Sequence, residues 1–108
     1  MPDKIYMDLL EVIRKYHPSE DFSMIQKAYQ LAKTAHERQL RKSGEPYIIH
    51  PLAVAHLLAE LELDKESIMA GILHDVVEDT EYTIEYITNE FSKEVALLVD
   101  GVTKLEKI

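Results

Sequence analysis

Residues 65–79 read KESIMAGILHDVVED, and this stretch decides the fold. Ile68, Met69, Ala70, Gly71, Ile72, Leu73, Val76 and Val77 fall on every side of a helix that turns about 100° per residue. A helix apolar all round has no face to give to water, so it belongs at the centre of a helical globule. Asp64 stands where an N-cap belongs. Downstream, Thr83 starts a fifth helix through Ile84, Ile87 and Phe91, and Ser92 caps a sixth through Val95, Leu98, Val99 and Val102. Upstream, residues 4–16 carry the stripe Ile5, Leu9, Val12, Ile13 and Tyr16, and His17-Pro18 stops that helix because a residue before proline is pushed out of the helical region. Asp21 or Ser23 caps the second helix, whose stripe Ile25, Ala28, Tyr29, Ala32 and His36 carries it to about Gln39. Pro51 suits the first turn of the third helix, which buries Leu52, Ala55, Leu58 and Ala59 and reaches Glu62. Between the second and third lies LRKSGEPYIIHP, residues 40–51, where Ser43-Gly44 and Glu45-Pro46 both break helix. The expectation is an all-α, compact bundle of about six short helices forming one domain over 1–108.

Composition narrows the function. With 46% hydrophobic and 30% charged residues, the 108-residue chain fits a soluble globular domain, and no window approaches the ~18 apolar residues of a membrane span. The first sixteen residues carry charge throughout and lack the apolar centre of a signal peptide, so a cytoplasmic location is expected. Zero cysteines exclude disulfides, thiolate zinc sites, iron–sulfur clusters and a cysteine nucleophile. A formal net charge of −8 argues against general nucleic-acid binding. The charge is also segregated. Between Lys65 and Lys93 there is no Lys or Arg but seven acidic residues, Glu66, Asp75, Glu78, Asp79, Glu81, Glu85 and Glu90, while the basic residues are densest at Arg38, Arg41 and Lys42. Two solvated faces of opposite sign, or a cation-binding pole facing an anion-binding loop, both account for this.

His74 and Asp75 interrupt the apolar run, with Glu78 and Asp79 one turn on. A buried carboxylate without a partner costs several kcal/mol, so it needs a cation or hydrogen bonds. His74 shares a face with Glu78 and Asp75 with Asp79, and the adjacent His-Asp pair can bracket an ion off the helix side. A satisfied core histidine and a solvated helix end would explain each feature alone. The conjunction with His50, which precedes Pro51 at the mouth of a helix, and the absence of nearby basic residues favour a divalent metal site.

His50 followed by His74-Asp75 resembles the opening of the HD-domain metal-dependent phosphohydrolases. RKSGEPYIIHPLAVA at 41–55, AGILHDVVEDT at 70–80 and LVDGVTKL at 98–105, in that order, resemble the N-terminal hydrolase domain of the RelA/SpoT homologue proteins, which make and destroy the alarmone (p)ppGpp. The likeness runs along nearly the whole chain. It implies Mn²⁺ bound by His50, His74 and Asp75, with Glu78 and Asp79 activating the attacking water and supporting its geometry. It also implies that Arg41, Lys42 and Ser43 contact the guanine nucleotide, with Arg41 packing on the base; Tyr47 lies in the same loop and is counted with them. The implied reaction removes the 3′-pyrophosphate of ppGpp or pppGpp, giving GDP or GTP and pyrophosphate.

The family's last metal-binding aspartate and a substrate-side asparagine belong to helices after the GVTKL segment. The sequence closes at Ile108, and Asp100, its only late aspartate, does not match the ligand position. Three readings stay open: a hydrolase domain without its C-terminal helices and inactive alone; an active enzyme completed by water, Asp100 or a second chain; and a non-enzymatic helical interaction module. Uncovered apolar faces of the fourth and sixth helices predict a homo-oligomer. No nucleic-acid or membrane partner is expected. His17 and His56 are read as surface or helix-edge residues, His36 as a packed core position, and Tyr6, Tyr16, Tyr29, Tyr82 and Tyr86 as core-rim packing.

Overall fold

The apolar run that centres the sequence is buried without a break from Ile68 to Val76. The computed structural model describes residues 2–18 and 21–106, so positions 1, 19–20 and 107–108 of the expected domain lie outside the described residues. Six helices follow in order: α1 Pro2–Tyr16, α2 Ser23–Ala35, α3 Ile49–Glu60, α4 Lys65–Asp79, α5 Ile84–Glu90 and α6 Lys93–Glu106. α4 packs against α2, α3 and α6, while α1 rests on α3 and α5 on α6. Leu9 and Ile13, Ile25 and Tyr29, Leu52 and Ala55, Ile87, and Val95 and Val99 close around Ile68, Ile72, Leu73 and Val76. Among the described residues the only β pairing is an isolated bridge between Leu40 and Pro46. The all-α bundle read from the sequence is what forms. Two tyrosines expected at the rim lie inside: Tyr6 and Tyr29 stack face to face at 4.2 Å, and the Tyr29 hydroxyl donates to Asp3 Oδ1.

Three helix starts follow their caps. Asp64 Oδ1 accepts from the Ser67 N–H at 3.0 Å, Thr83 Oγ1 from Tyr86 at 3.0 Å, and Ser92 Oγ from Val95 at 3.1 Å. At α2 the carboxylate of Asp21 takes the Ser23 N–H at 2.9 Å, and the cap position itself falls to Phe22, which makes no side-chain cap bond.

The bounds of α2 and α3 differ from expectation. α2 ends at Ala35 rather than Gln39. Beyond it the Gln39 N–H turns back to the His36 carbonyl, the Gln39 carbonyl accepts from Tyr47, and the His36 ring meets Gln39 Oε1 at 2.8 Å. These bonds pull the chain out of the helix into a tight hairpin, where Arg41 N–H bonds Glu45 O and Gly44 takes φ +91°, a conformation that favours glycine. α3 starts two residues before Pro51, because proline is tolerated anywhere in a first turn that needs no amide donor, and it stops at Glu60. Its end is a Schellman closure: Leu63 N–H bonds Leu58 O, Glu62 N–H bonds Ala59 O, and Glu62 itself sits at φ +60°.

Candidate metal centre

The site forms where α3 and α4 approach closely. A β-carbon at Gly71 would lie 2.8 Å from Leu58 Cδ1 and 3.7 Å from the Ala55 backbone, so a residue without a side chain lets the two helices meet. That contact brings His50, at the start of α3, against His74, with the two rings edge to face at 5.9 Å. His74 is 3% exposed and Asp75 5%, buried as the sequence demanded. His74 Nδ1 lies 2.7 Å from the Gly71 carbonyl oxygen, which only accepts, so Nδ1 donates there, and in the neutral ring Nε2 presents a lone pair.

Asp75 Oδ2 is the hub. It lies 3.3 Å from His74 Nε2, 3.5 Å from His50 Nε2 and 2.8 Å from the Tyr47 hydroxyl, which donates to it. One donor atom from each of His50, His74 and Asp75 falls within 4.8 Å of the others. A lone pair on His74 facing a carboxylate oxygen is unfavourable unless a proton or a metal ion stands between them. Two imidazoles, one carboxylate and burial therefore fit a bound divalent ion of intermediate to hard character.

Tyr47 is expected on the nucleotide side. Its phenol also reaches the cluster, and its pKa is raised by burial first, then by the bond to Asp75 and the charges of Asp75 and Asp79. The ring rests near His36 at 4.9 Å and His50 at 5.7 Å. His36 is buried in the core as anticipated, with Nδ1 against Gln39 and Nε2 without a partner among the described residues. A tyrosine three positions before His50 is the signal available in the sequence; the direction of its hydroxyl is not.

Glu78 and Asp79 are exposed at the C-terminal end of α4, where no basic residue stands in the last turn. Carboxylates at the negative pole of a helix are unfavourable by about 0.3–1 kcal/mol each, a cost that solvation of both side chains limits here. Arg41, Lys42 and Ser43 are exposed and, with Leu40, Glu45 and Tyr47, line an open cavity of about 660 Å³. Tyr47 is thus shared between this cavity and the His50–His74–Asp75 cluster. On the other side His50 and His74 open onto an apolar groove of about 380 Å³, walled by Val54, Leu58, Ala70, Leu98 and Val102. Asp100 is occupied elsewhere, in an ion pair with Lys104 at 3.0 Å.

The helical globule thus joins a buried His-Asp pair on α4 to a second histidine from a neighbouring helix. Residues 28–108 match the HD domain family, and the chain belongs to it. Among relatives, it is 56% identical over 95 residues to a GTP pyrophosphokinase of Myxococcus xanthus, covering 88% of this chain and 12% of that protein. It is 48% identical over 104 residues to the bifunctional (p)ppGpp synthase/hydrolase SpoT of Escherichia coli strain K12, covering 96% and 15%. A guanosine-3′,5′-bis(diphosphate) 3′-pyrophosphohydrolase of Vibrio cholerae is 46% identical over 104 residues, again covering 96% and 15%. The RelA/SpoT resemblance carried by the sequence motifs is borne out. The chain spans between 12% and 15% of the length of these relatives. No described helix is long and apolar enough to cross a membrane.

Proposed function

We propose that this chain is the hydrolase domain of a RelA/SpoT-type protein and acts on (p)ppGpp as a 3′-pyrophosphohydrolase. The observation that carries the reading is the convergence of His50, His74 and Asp75 on one point, beside a basic loop cavity that shares Tyr47 with it. Mn²⁺ would be held by His50, His74 and Asp75; when bound it lowers the pKa of water and polarises a phosphoryl oxygen. Glu78 accepts the proton of the attacking water, with Asp79 supporting its geometry. Arg41 stacks its planar guanidinium on the guanine, Lys42 offsets phosphate charge and Ser43 donates a hydrogen bond. Tyr47 closes the same cavity. The water oxygen bonds to the phosphorus attached to the 3′-oxygen, that P–O bond breaks, and the 3′-oxygen leaves protonated. GDP or GTP and pyrophosphate are released.

The test is incubation of ppGpp and Mn²⁺ with the chain and with Glu78→Gln, following GDP and pyrophosphate, alongside the metal content of the chain and of His74→Ala. Metal content that is the same in both proteins, with ppGpp left intact, would sink the reading. The apolar groove supports a further part of it: a second copy covers Leu98 and Val102. Sedimentation that shows a monomer across the accessible concentration range rules that part out.

A further inference from the structure

We infer that Tyr47 is a positioning residue for the metal ligand Asp75, a role distinct from closing the nucleotide cavity; the inference rests on the metal-dependent reading above. A carboxylate oxygen has two lone pairs. The Tyr47 hydroxyl takes one on Asp75 Oδ2 at 2.8 Å, which leaves the other free, with His50 Nε2 and His74 Nε2 3.5 and 3.3 Å from that oxygen. Among the described residues no other hydrogen bond reaches the Asp75 side chain.

The phenol is itself held from several sides. Its ring packs near His36 and His50, its backbone N–H bonds the Gln39 carbonyl at 2.9 Å, and its carbonyl accepts the His50 N–H at 2.9 Å. His36, buried and tied to Gln39, gives that clamp a rigid back wall. The same residue therefore sets the orientation of one ligand, Asp75, and opens the helix that carries another, His50. Partners that orient a ligand in this way govern affinity by 10–100-fold in known metal sites.

The experiment compares the full chain, Tyr47→Phe and Tyr29→Phe. Tyr29→Phe serves as a control because its hydroxyl bonds Asp3 and touches no part of the site. Mn²⁺ affinity is measured by titration of free ion, and Co²⁺ is used to record the visible absorption of the site. Phenylalanine keeps the ring contacts, so circular dichroism of Tyr47→Phe should match the parent. Its Mn²⁺ affinity should fall about 10- to 100-fold and the Co²⁺ spectrum should change, while Tyr29→Phe alters neither. Parent-like affinity and spectrum in a folded Tyr47→Phe would overturn the inference and leave the hydrolase reading standing. Absence of Mn²⁺ binding in the parent would overturn both. If Tyr47→Phe fails to fold, Tyr47→Met, which fills the space with no donor and a poor ligand for Mn²⁺, takes its place: a 10- to 100-fold loss of Mn²⁺ affinity supports positioning, and parent-like affinity refutes it.

Discussion

His74 Nδ1 donates to the carbonyl oxygen of Gly71, 2.7 Å away and three residues earlier on the same helix. The bond turns the ring so that Nε2 faces Asp75 Oδ2 at 3.3 Å. A backbone carbonyl within α4 thus favours the neutral tautomer whose Nε2 could ligate an ion.

From this follows the first prediction. His74→Ala removes one of three converging donors and should lower divalent-ion affinity by at least about 100-fold, a loss of roughly 2.7 kcal/mol. Equilibrium dialysis against Mn²⁺ with elemental analysis measures it. Retention of stoichiometric ion by the variant contradicts the proposed centre.

Arg41 is exposed on the hairpin and makes no side-chain bond that the fold depends on. Arg41→Ala should leave thermal unfolding within about 0.5 kcal/mol of the parent, as surface substitutions do. The KM for ppGpp should rise roughly tenfold through loss of stacking and charge. Steady-state kinetics and a thermal melt on the same preparation separate the two, and a lowered stability with unchanged KM would remove Arg41 from the nucleotide side.

Both predictions use residues that the sequence made visible. His74 and Asp75 could be singled out because charge inside an apolar run is costly enough to demand a reason. Arg41 and Lys42 stood out by charge segregation. The role of Tyr47 could not be read in the same way, since the direction of a phenol depends on where a distant helix lies.

Tyr6 is buried, its hydroxyl has no partner among the described residues, and burial pushes its pKa up to about 12. In the unfolded chain the phenol titrates near its ordinary value of 10.0. The folded state thus holds the proton more tightly, so stability is fully present below pH 10 and falls as pH rises towards 12. Tyr6→Phe should reduce that alkaline loss. At neutral pH it should be neutral or stabilising by up to about 1 kcal/mol, because it removes an unsatisfied hydroxyl. Urea melts at pH 7 and 11 provide the check, and an equal drop in both proteins would contradict it.

Glu62 holds φ +60° where α3 closes, a conformation that costs an L-residue about 1 kcal/mol or more. Glycine avoids that cost but loses more backbone entropy on folding, so Glu62→Gly should stabilise by a net of about 0.5 kcal/mol. Chemical denaturation at equilibrium tests it; destabilisation would mean that the Glu62 side chain, not its backbone, matters there.

The sequence by itself determined the six helices, the central place of α4 and the identity of the charged residues that need a partner. These depend on periodicity, capping and the cost of burying charge, all of which act over a few neighbouring positions. Only the tertiary structure decided that α2 stops at Ala35, that His50 crosses to His74 over Gly71, and that Tyr47 turns to Asp75. Each of those depends on how closely α3 and α4 approach and where the hairpin lays its bonds. Residues 24 positions apart, such as His50 and His74, meet only through packing that no local pattern encodes.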